Sequence, residues 1–429
     1  MSAPRKLLDD CFLHDGKRLL HAEALAILKT RVRPLVDTER LTLAQSVGRI
    51  TAETIKAEHP VPAHTNSAVD GYAFAWAHTD PARATQLPVS GRAAAGHPLV
   101  RQAGENVAAR ILTGAVMPDG TDTVVMQEDV TRTGADAGPR VVIPPGLKLG
   151  ANVRRAGEDV KLGETLFRRG HVIRPQDLAA LASVGRAEVD CFARLSVAIL
   201  SSGDEVVRAG TGPLPRGHVY DANAPMLSAL VGTAGAQCHD LGIHRDDPEV
   251  IQNALADAAR RYHVVITSGG ASRGDEDHMV TALDALGKCH LWQLAIKPGR
   301  PMGFGQIGDC VVVCLPGNPV AVFVCFLMYV WPILRQLGGS DWPEPRRYTL
   351  PAAFDFKGRK TGRREFWRGM LVERNGGMAV DKFERDGSGL ISGLRAADGL
   401  IDIPEDAGDI ADGDPVAFIP FAEFGIAGR

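Results

Sequence analysis

The chain has no paired cysteines, no excess of basic residues and no apolar run of bilayer length, and each shortage removes a class of function. Its seven cysteines, Cys11, Cys191, Cys238, Cys289, Cys310, Cys314 and Cys325, contain no CxxC spacing. An odd, scattered set with apolar neighbours reads as reduced thiols in a cytoplasmic protein, not as a disulfide framework or a zinc site. Cys310 and Cys314 flank a valine run, which a buried strand explains. The 48 basic and 51 acidic side chains leave a net charge of −3, so no positive field for nucleic acid exists. A local cluster of lysine and arginine is still enough for a small anion. Met1 to Leu20 holds Asp9, Asp10 and Asp15 and no apolar core, which argues against a secretory signal. The longest apolar run, Val320 to Leu334, falls short of the roughly 20 residues of a spanning helix and contains Pro332. It is expected to be a buried helix that opens just after Asn318-Pro319, and no membrane partner is expected. Walker A and HExxH sequences are missing, as are repeats and low-complexity tracts. P-loop nucleotide hydrolysis and zinc-protease chemistry are therefore out.

What remains is an ordinary globular composition, 45% hydrophobic and 23% charged over 429 residues, which as a prior means about three domains and a core that needs no staples. The expected class is α/β and multidomain. A helical N-terminal segment (His21 to Val32 has helical spacing) and residues 147–194 form a helical linking domain with residues 1–50. Residues 51–146, rich in Gly, Pro and short β-prone runs, form a β-rich insertion domain. Residues 195–337 alternate strand and helix, the mark of a central parallel α/β sandwich. Its strands are expected at Ser196 to Leu200, Gln237 to Leu241, Val264 to Thr267 and Cys310 to Leu315. Residues 343–421 form an all-β, barrel-like C-terminal domain, with a hairpin at Asn375-Gly376.

Ligands of parallel sheets sit at the carboxyl ends of the strands, and there the sequence is most informative. Val264-Val265-Ile266-Thr267 runs into Ser268-Gly269-Gly270-Ala271-Ser272-Arg273-Gly274-Asp275-Glu276-Asp277. Glycines expose backbone amides that suit a phosphate, and the carboxylates suit a hard cation such as Mg²⁺. A second cradle, Leu315-Pro316-Gly317-Asn318-Pro319, follows another strand. Glu205, Asp246 and Asp277 all fall where expected strands end, although Asp246-Asp247-Pro248 also reads as a helix cap. Gly270 to Gly274 fits the G-x-S-x-G nucleophile elbow, but only His278 and His290 follow it, too near for a hydrolase triad. Gly303-Phe304-Gly305-Gln306-Ile307-Gly308 fits G-x-G-x-x-G, but a strand follows it where a dinucleotide fold needs a helix, so a tight β-turn is expected.

Several segments together resemble one family. They are Pro62 to Ala73, Arg110 to Ala115, Val124 to Glu128, Arg154 to Asp159, Ser202 to Glu205, Tyr220-Asp221-Ala222-Asn223, Ser268 to Asp277, Lys297-Pro298-Gly299-Arg300-Pro301 and Leu315 to Pro319. In this order and spacing the chain resembles the molybdopterin molybdenumtransferases, of the MoeA and gephyrin E-domain type, over nearly its whole length. The resemblance implies insertion of molybdenum into adenylylated molybdopterin, with molybdate as co-substrate, Mg²⁺ as cofactor and AMP as product. It also implies a homodimer with its active site between subunits, so that Asp70 and Thr113 would come from the partner chain. Glu205, Asp246 and Asp277 are then the candidate metal ligands, and these five form the catalytic set. Gly269, Gly270, Ser272, Pro316, Gly317, Asn318 and Pro319 would cradle the pyrophosphate. Lys297, Arg300 and Pro301, with Arg368 and Ser388 from the C-terminal domain, would hold the molybdate dianion.

Three positions depart from the family pattern. Gln293 stands where a lysine is expected, which removes a cation from the anion pocket. Arg300 stands for a lysine and Ser202 for a threonine. Arg363 in the basic segment Gly362 to Arg368 reads equally as a solvated surface residue. Two other functions compete: a molybdopterin adenylyltransferase, which the β insertion and C-terminal domain disfavour, and a gephyrin-like scaffold, which the lack of an extra binding domain disfavours. The adenylyltransferase, molybdoenzymes and their chaperones are the partners the resemblance allows.

Overall fold

A computed structural model describes residues 18–100, 106–134, 138–269 and 278–428. Its central sheet has six strands in the order Gln237–His244, Ser196–Ser202, Val264–Ser268, Cys310–Leu315, Pro301–Ile307, Lys288–Gln293. The first four run parallel. Side chains alternate between two buried faces, as the two-residue period of a strand requires. Val197, Ile199, Val264, Ile266, Val311 and Val313 pack with the helix Asn223–Thr233 and the apolar helix that begins at Pro319. Ala198, Leu200, Val265, Val312, Cys310 and Cys314 pack with Pro248–Arg261 and His278–Leu286. The two cysteines are thus core residues, as the valine run predicts. The apolar helix runs from Pro319 to Leu337, 19 residues, mostly buried in this core.

The sheet is not parallel throughout. Pro301–Ile307 runs antiparallel to both its neighbours. Only Gly308 and Asp309 separate it from Cys310–Leu315, and a loop that short can form only a hairpin. Gly308 has φ +59°. Gly303 and Gly305 lie within the strand, and a Cβ on Gly305 would stand 2.3 Å from Leu283 Cδ2. Gly305 admits the packing helix and Gly303 admits Cys314 of the next strand, which explains the G-x-G-x-x-G match without a dinucleotide.

Two further sheets flank the centre. Residues 71–143 form a six-stranded sheet in the order Thr123–Met126, Gly71–Phe74, Ala108–Ile111, Thr85–Ala93, Arg140–Ile143, Thr131–Thr133. The C-terminal sheet runs Ile296–Lys297, Arg364–Arg374, Gly399–Ile403, Pro415–Pro420, Tyr348–Pro351, with Gly377–Lys382 beside Arg364–Arg374. An Ala352–Val380 bridge joins its last strand back to Gly377–Lys382. The hairpin turns at Asn375 (φ 52°) and Gly376 (φ 75°), the left-handed pair that a two-residue type I′ turn needs. Residues 147–194 are less helical than expected. One helix, Pro175–Ser183, stands among the short strands Val153–Arg154, Thr165–Phe167 and Glu188–Phe192. Gly150, Gly157, Gly163 and Gly170 all have positive φ and interrupt the chain before a helix can propagate.

One pairing positions the functional region. Ile296–Lys297 belongs to the central domain by sequence but pairs in parallel with Arg364–Glu365 of the C-terminal sheet. Buried Asp402 ties the same sheet to the linker. It accepts from Arg364 Nε at 2.6 Å and Nη2 at 2.9 Å, and from Arg347 Nε at 2.7 Å.

Candidate functional site

The turn Leu315–Pro319 leaves the carboxyl end of an inner strand and enters the apolar helix, whose first amides carry the positive end of the helix dipole. Asn318 is its N-cap, but its side chain makes no capping bond. A cavity opens on each side of this turn, and Asn318 lines both.

The first cavity, about 330 Å³, is basic. Lys297, Arg300, Arg368 and Lys382 line it, together with Pro301, Pro316, Asp386 and Ser388. Lys297 Nζ lies 3.4 Å from Glu365, and Lys382 donates to Asp386 at 2.7 Å. Arg368 is different. It is 7% exposed, and it donates to the carbonyls of Gly387 at 3.2 Å and Arg385 at 2.5 Å. Its Nε has no partner, and it forms no ion pair among the described residues. Burial pulls its pKa below the usual arginine range, with Asp386 opposing weakly. A buried guanidinium held by carbonyls and left without a carboxylate has positive charge to give to a ligand.

The second cavity, about 490 Å³, is rich in acceptors. Glu205, Asp221, Asn223, Ser202, Gly269, Gly317 and Pro319 line it. Gly269 (φ +96°) takes a conformation that disfavours any side chain, and its N–H donates to Leu315 O at 3.1 Å. Gly203 (φ +137°) allows the sharp turn before Glu205; a Cβ there would stand 2.7 Å from Glu205 Oε2. Asn223 links the two glycine turns. Its Nδ2 donates to Ser268 Oγ at 3.0 Å and to Gly317 O at 2.7 Å, while its Oδ1 is buried without a partner. Asp221 fixes Asn223 by accepting from the N–H groups of Asn223 and Ala224 and from Ser201 Oγ. Asn223 was legible only as part of a motif; an asparagine opening a helix gives no local sign that it bridges two strands.

The structure therefore brings Glu205, Gly269, Gly317, Asn318 and Pro319 to one cavity, and Lys297, Arg300, Pro301, Pro316, Asn318, Arg368 and Ser388 to the other. Ser388 also ties the C-terminal domain to the turn, its carbonyl accepting from Val320 N at 2.9 Å. Asp246 is not among the residues lining either cavity. Its N–H donates to Asp204 Oδ1 at 3.3 Å, beside Asp247, which caps the helix Pro248–Arg261 through the amides of Glu249 and Val250. Gly270, Ser272 and Asp277 lie outside the described residues, as does the G-x-S-x-G segment. Among the described residues no group of three or more His, Cys, Asp or Glu side chains is arranged to hold a metal ion.

Asp70 and Thr113 meet each other in the β insertion. Asp70 Oδ1 accepts from Thr113 N at 2.8 Å and Oγ1 at 2.7 Å. Those bonds hold the carboxyl below its usual range. The pair lines neither cavity of its own chain.

Comparison with known proteins agrees with this layout along the chain. The MoeA N-terminal region (domain I and II) matches residues 20–185, a probable molybdopterin binding domain matches 198–336, and the MoeA C-terminal region (domain IV) matches 349–421. Molybdopterin molybdenumtransferase from Haemophilus influenzae is 36% identical over 90% of this chain and 94% of its own length. Molybdopterin molybdenumtransferase 2 from Mycobacterium tuberculosis is 32% identical over 92% and 96%. The crystal structure of the molybdopterin biosynthesis moeA protein from Pyrococcus horikoshii OT3 superposes with a TM-score of 0.80 at 29% identity, covering 94% of this chain and 100% of that one. The chain belongs to the molybdopterin molybdenumtransferase family.

Proposed function

We propose that this chain inserts molybdenum into molybdopterin at the end of molybdenum cofactor biosynthesis, taking the adenylylated form and molybdate and releasing AMP. One observation carries the reading: a basic and an acceptor-rich cavity share the wall Leu315–Pro319. The oxyanion belongs in the basic cavity, where Arg368 offers uncompensated charge and Lys297, Arg300 and Ser388 complete the grip. The pyrophosphate belongs against the Gly317 and Asn318 amides of the Leu315–Pro319 turn, the two N–H groups that turn has to offer, with Gly269 lining the cavity beside them. Asn223 Oδ1 can only accept, so it suits a ligand N–H or hydroxyl rather than a phosphate oxygen.

Glu205 and the phosphate oxygens form an all-oxygen set that fits Mg²⁺, with Asp277 assigned beside it. Mg²⁺, when bound, supplies charge that polarises the phosphoryl oxygens. The protein acts as a homodimer in this reading, because the Asp70–Thr113 pair reaches the acceptor-rich cavity only if a second copy presents it. The cytoplasm is the assigned compartment, which accords with six cysteines among the described residues that form no disulfide.

The test is AMP release from adenylylated molybdopterin by folded protein. Release should require both molybdate and Mg²⁺, and Asp277→Ala should abolish it while leaving the dimer intact. Folded wild-type protein that releases no AMP would end the proposal, and full activity in Asp277→Ala would remove that residue from the site.

A further inference from the structure

Two arginines near Arg300 have no role inside the basic cavity. Arg300 lines the cavity, but Arg18 and Arg363 do not. The backbone nevertheless sets all three side by side. Leu19 N donates to Gln293 O at 2.9 Å, Leu294 N to Arg300 O at 2.8 Å, and Arg364 N to Ala295 O at 2.9 Å. Two segments remote in sequence and the local Leu294–Arg300 turn thus converge on residues 293–295, and each brings an arginine at or next to its pairing residue. Arg18 and Arg300 are exposed and Arg363 is half-buried. Exposed Gln293, uncharged, sits among them. None of the three forms an ion pair among the described residues. The Arg18 guanidinium above all, then burial and Arg363, hold the pKa of Arg300 below the usual arginine range. Mutually repelling cations raise the energy of the empty state and focus a field on multiply charged anions.

We propose that Arg18, Arg300 and Arg363 form an outer collecting site that captures a free tetrahedral dianion at the surface and hands it to Arg368 and Lys297 inside. This rests on the reading that the basic cavity takes the oxyanion. The N-terminal segment, through Arg18, thereby supplies charge that Gln293 does not. The shared chemistry is a doubly charged tetrahedral oxyanion, and the source assigned is the free ion rather than a phosphate group of the larger substrate.

The test measures tungstate binding to the full chain by stopped flow, with AMP as the phosphate-bearing probe. At about 20 mM salt, Arg18→Ala with Arg363→Ala should slow tungstate association roughly tenfold and leave dissociation unchanged, the signature of steering. At about 0.5 M salt the difference should shrink to under twofold, since the screening length falls to a few ångströms. Arg18→Lys should keep the wild-type rate. The ligand-free double variant should melt at or above the wild-type temperature, because a repulsion has been removed. Wild-type association by the double variant at low salt overturns the collecting site, as does a defect seen with AMP alone. Arg368→Gln separates the two ideas. If it weakens tungstate while the double variant does not, only the collecting site falls. If it leaves tungstate binding untouched, the cavity reading falls and takes this inference with it.

Discussion

Replacing Arg368 by glutamine removes one charge from the wall of the basic cavity while keeping a shorter, neutral donor. A cation about 4 Å from a unit negative charge, at an effective dielectric near 20, is worth about 4 kcal/mol. Stripping water from the oxyanion and sharing the guanidinium with two carbonyls return part of that. The net loss should be about 2–3 kcal/mol, or roughly 30- to 150-fold in tungstate Kd at tenfold per 1.4 kcal/mol. Stability should move much less. The two hydrogen bonds to Gly387 and Arg385 are worth about 1 kcal/mol each, and relief of a buried charge without a carboxylate partner offsets them. Calorimetric titration with tungstate, paired with a melting curve, separates the two effects. Arg368→Lys should fall between, because a point charge cannot reach both carbonyls as the planar fork does. Unchanged tungstate affinity in a well-folded Arg368→Gln protein would refute the electrostatic argument.

Two further outcomes concern the frame around the site. Asp402→Ala should cost about 1–3 kcal/mol, because it removes the buried acceptor of half-buried Arg364, which keeps Glu405 at 3.4 Å, while exposed Arg347 can turn to water; loss of stability under about 0.5 kcal/mol in urea unfolding would show that the pairs are dispensable. Asp177 accepts from His171 and Arg174. Burial alone would raise its pKa, but those bonds bring it from 3.8 down to about 2. A carboxyl depressed by folding contributes stability that is fully present above its unfolded pKa and is lost as pH falls through the folded one. Wild-type melting temperature should therefore drop between about pH 4 and pH 2 more steeply than that of Asp177→Asn, and parallel acid profiles would contradict this.

Much of the architecture was legible because it is local. Strand–helix alternation from Ser196 to Leu337, the β-rich insertion and the Asn375-Gly376 hairpin follow from side-chain period and turn chemistry, which neighbouring residues alone dictate. The glycine turns at Gly269 and Gly317 are legible for the same reason, since each stands where a strand ends, although only Gly269 takes a conformation that disfavours a side chain. The antiparallel edge was less legible. Gly303 and Gly305 weaken the strand signal of Pro301–Ile307, and their purpose, making room for Cys314 and for Leu283, exists only once strand and helix are packed.

The sequence by itself determined which chemistries are present: two bare turns, a set of carboxylates and a handful of cations, in an order that marks the family. Only the tertiary structure decided their arrangement. It sorted cations to one side of Leu315–Pro319 and acceptors to the other, left Asp246 beside a helix cap, made Asn223 the tie between two strands, and drew Arg18 and Arg363 to Arg300. Period and composition act over a few residues, whereas these juxtapositions come from backbone hydrogen bonds between segments far apart in the chain, and no local signal carries that information.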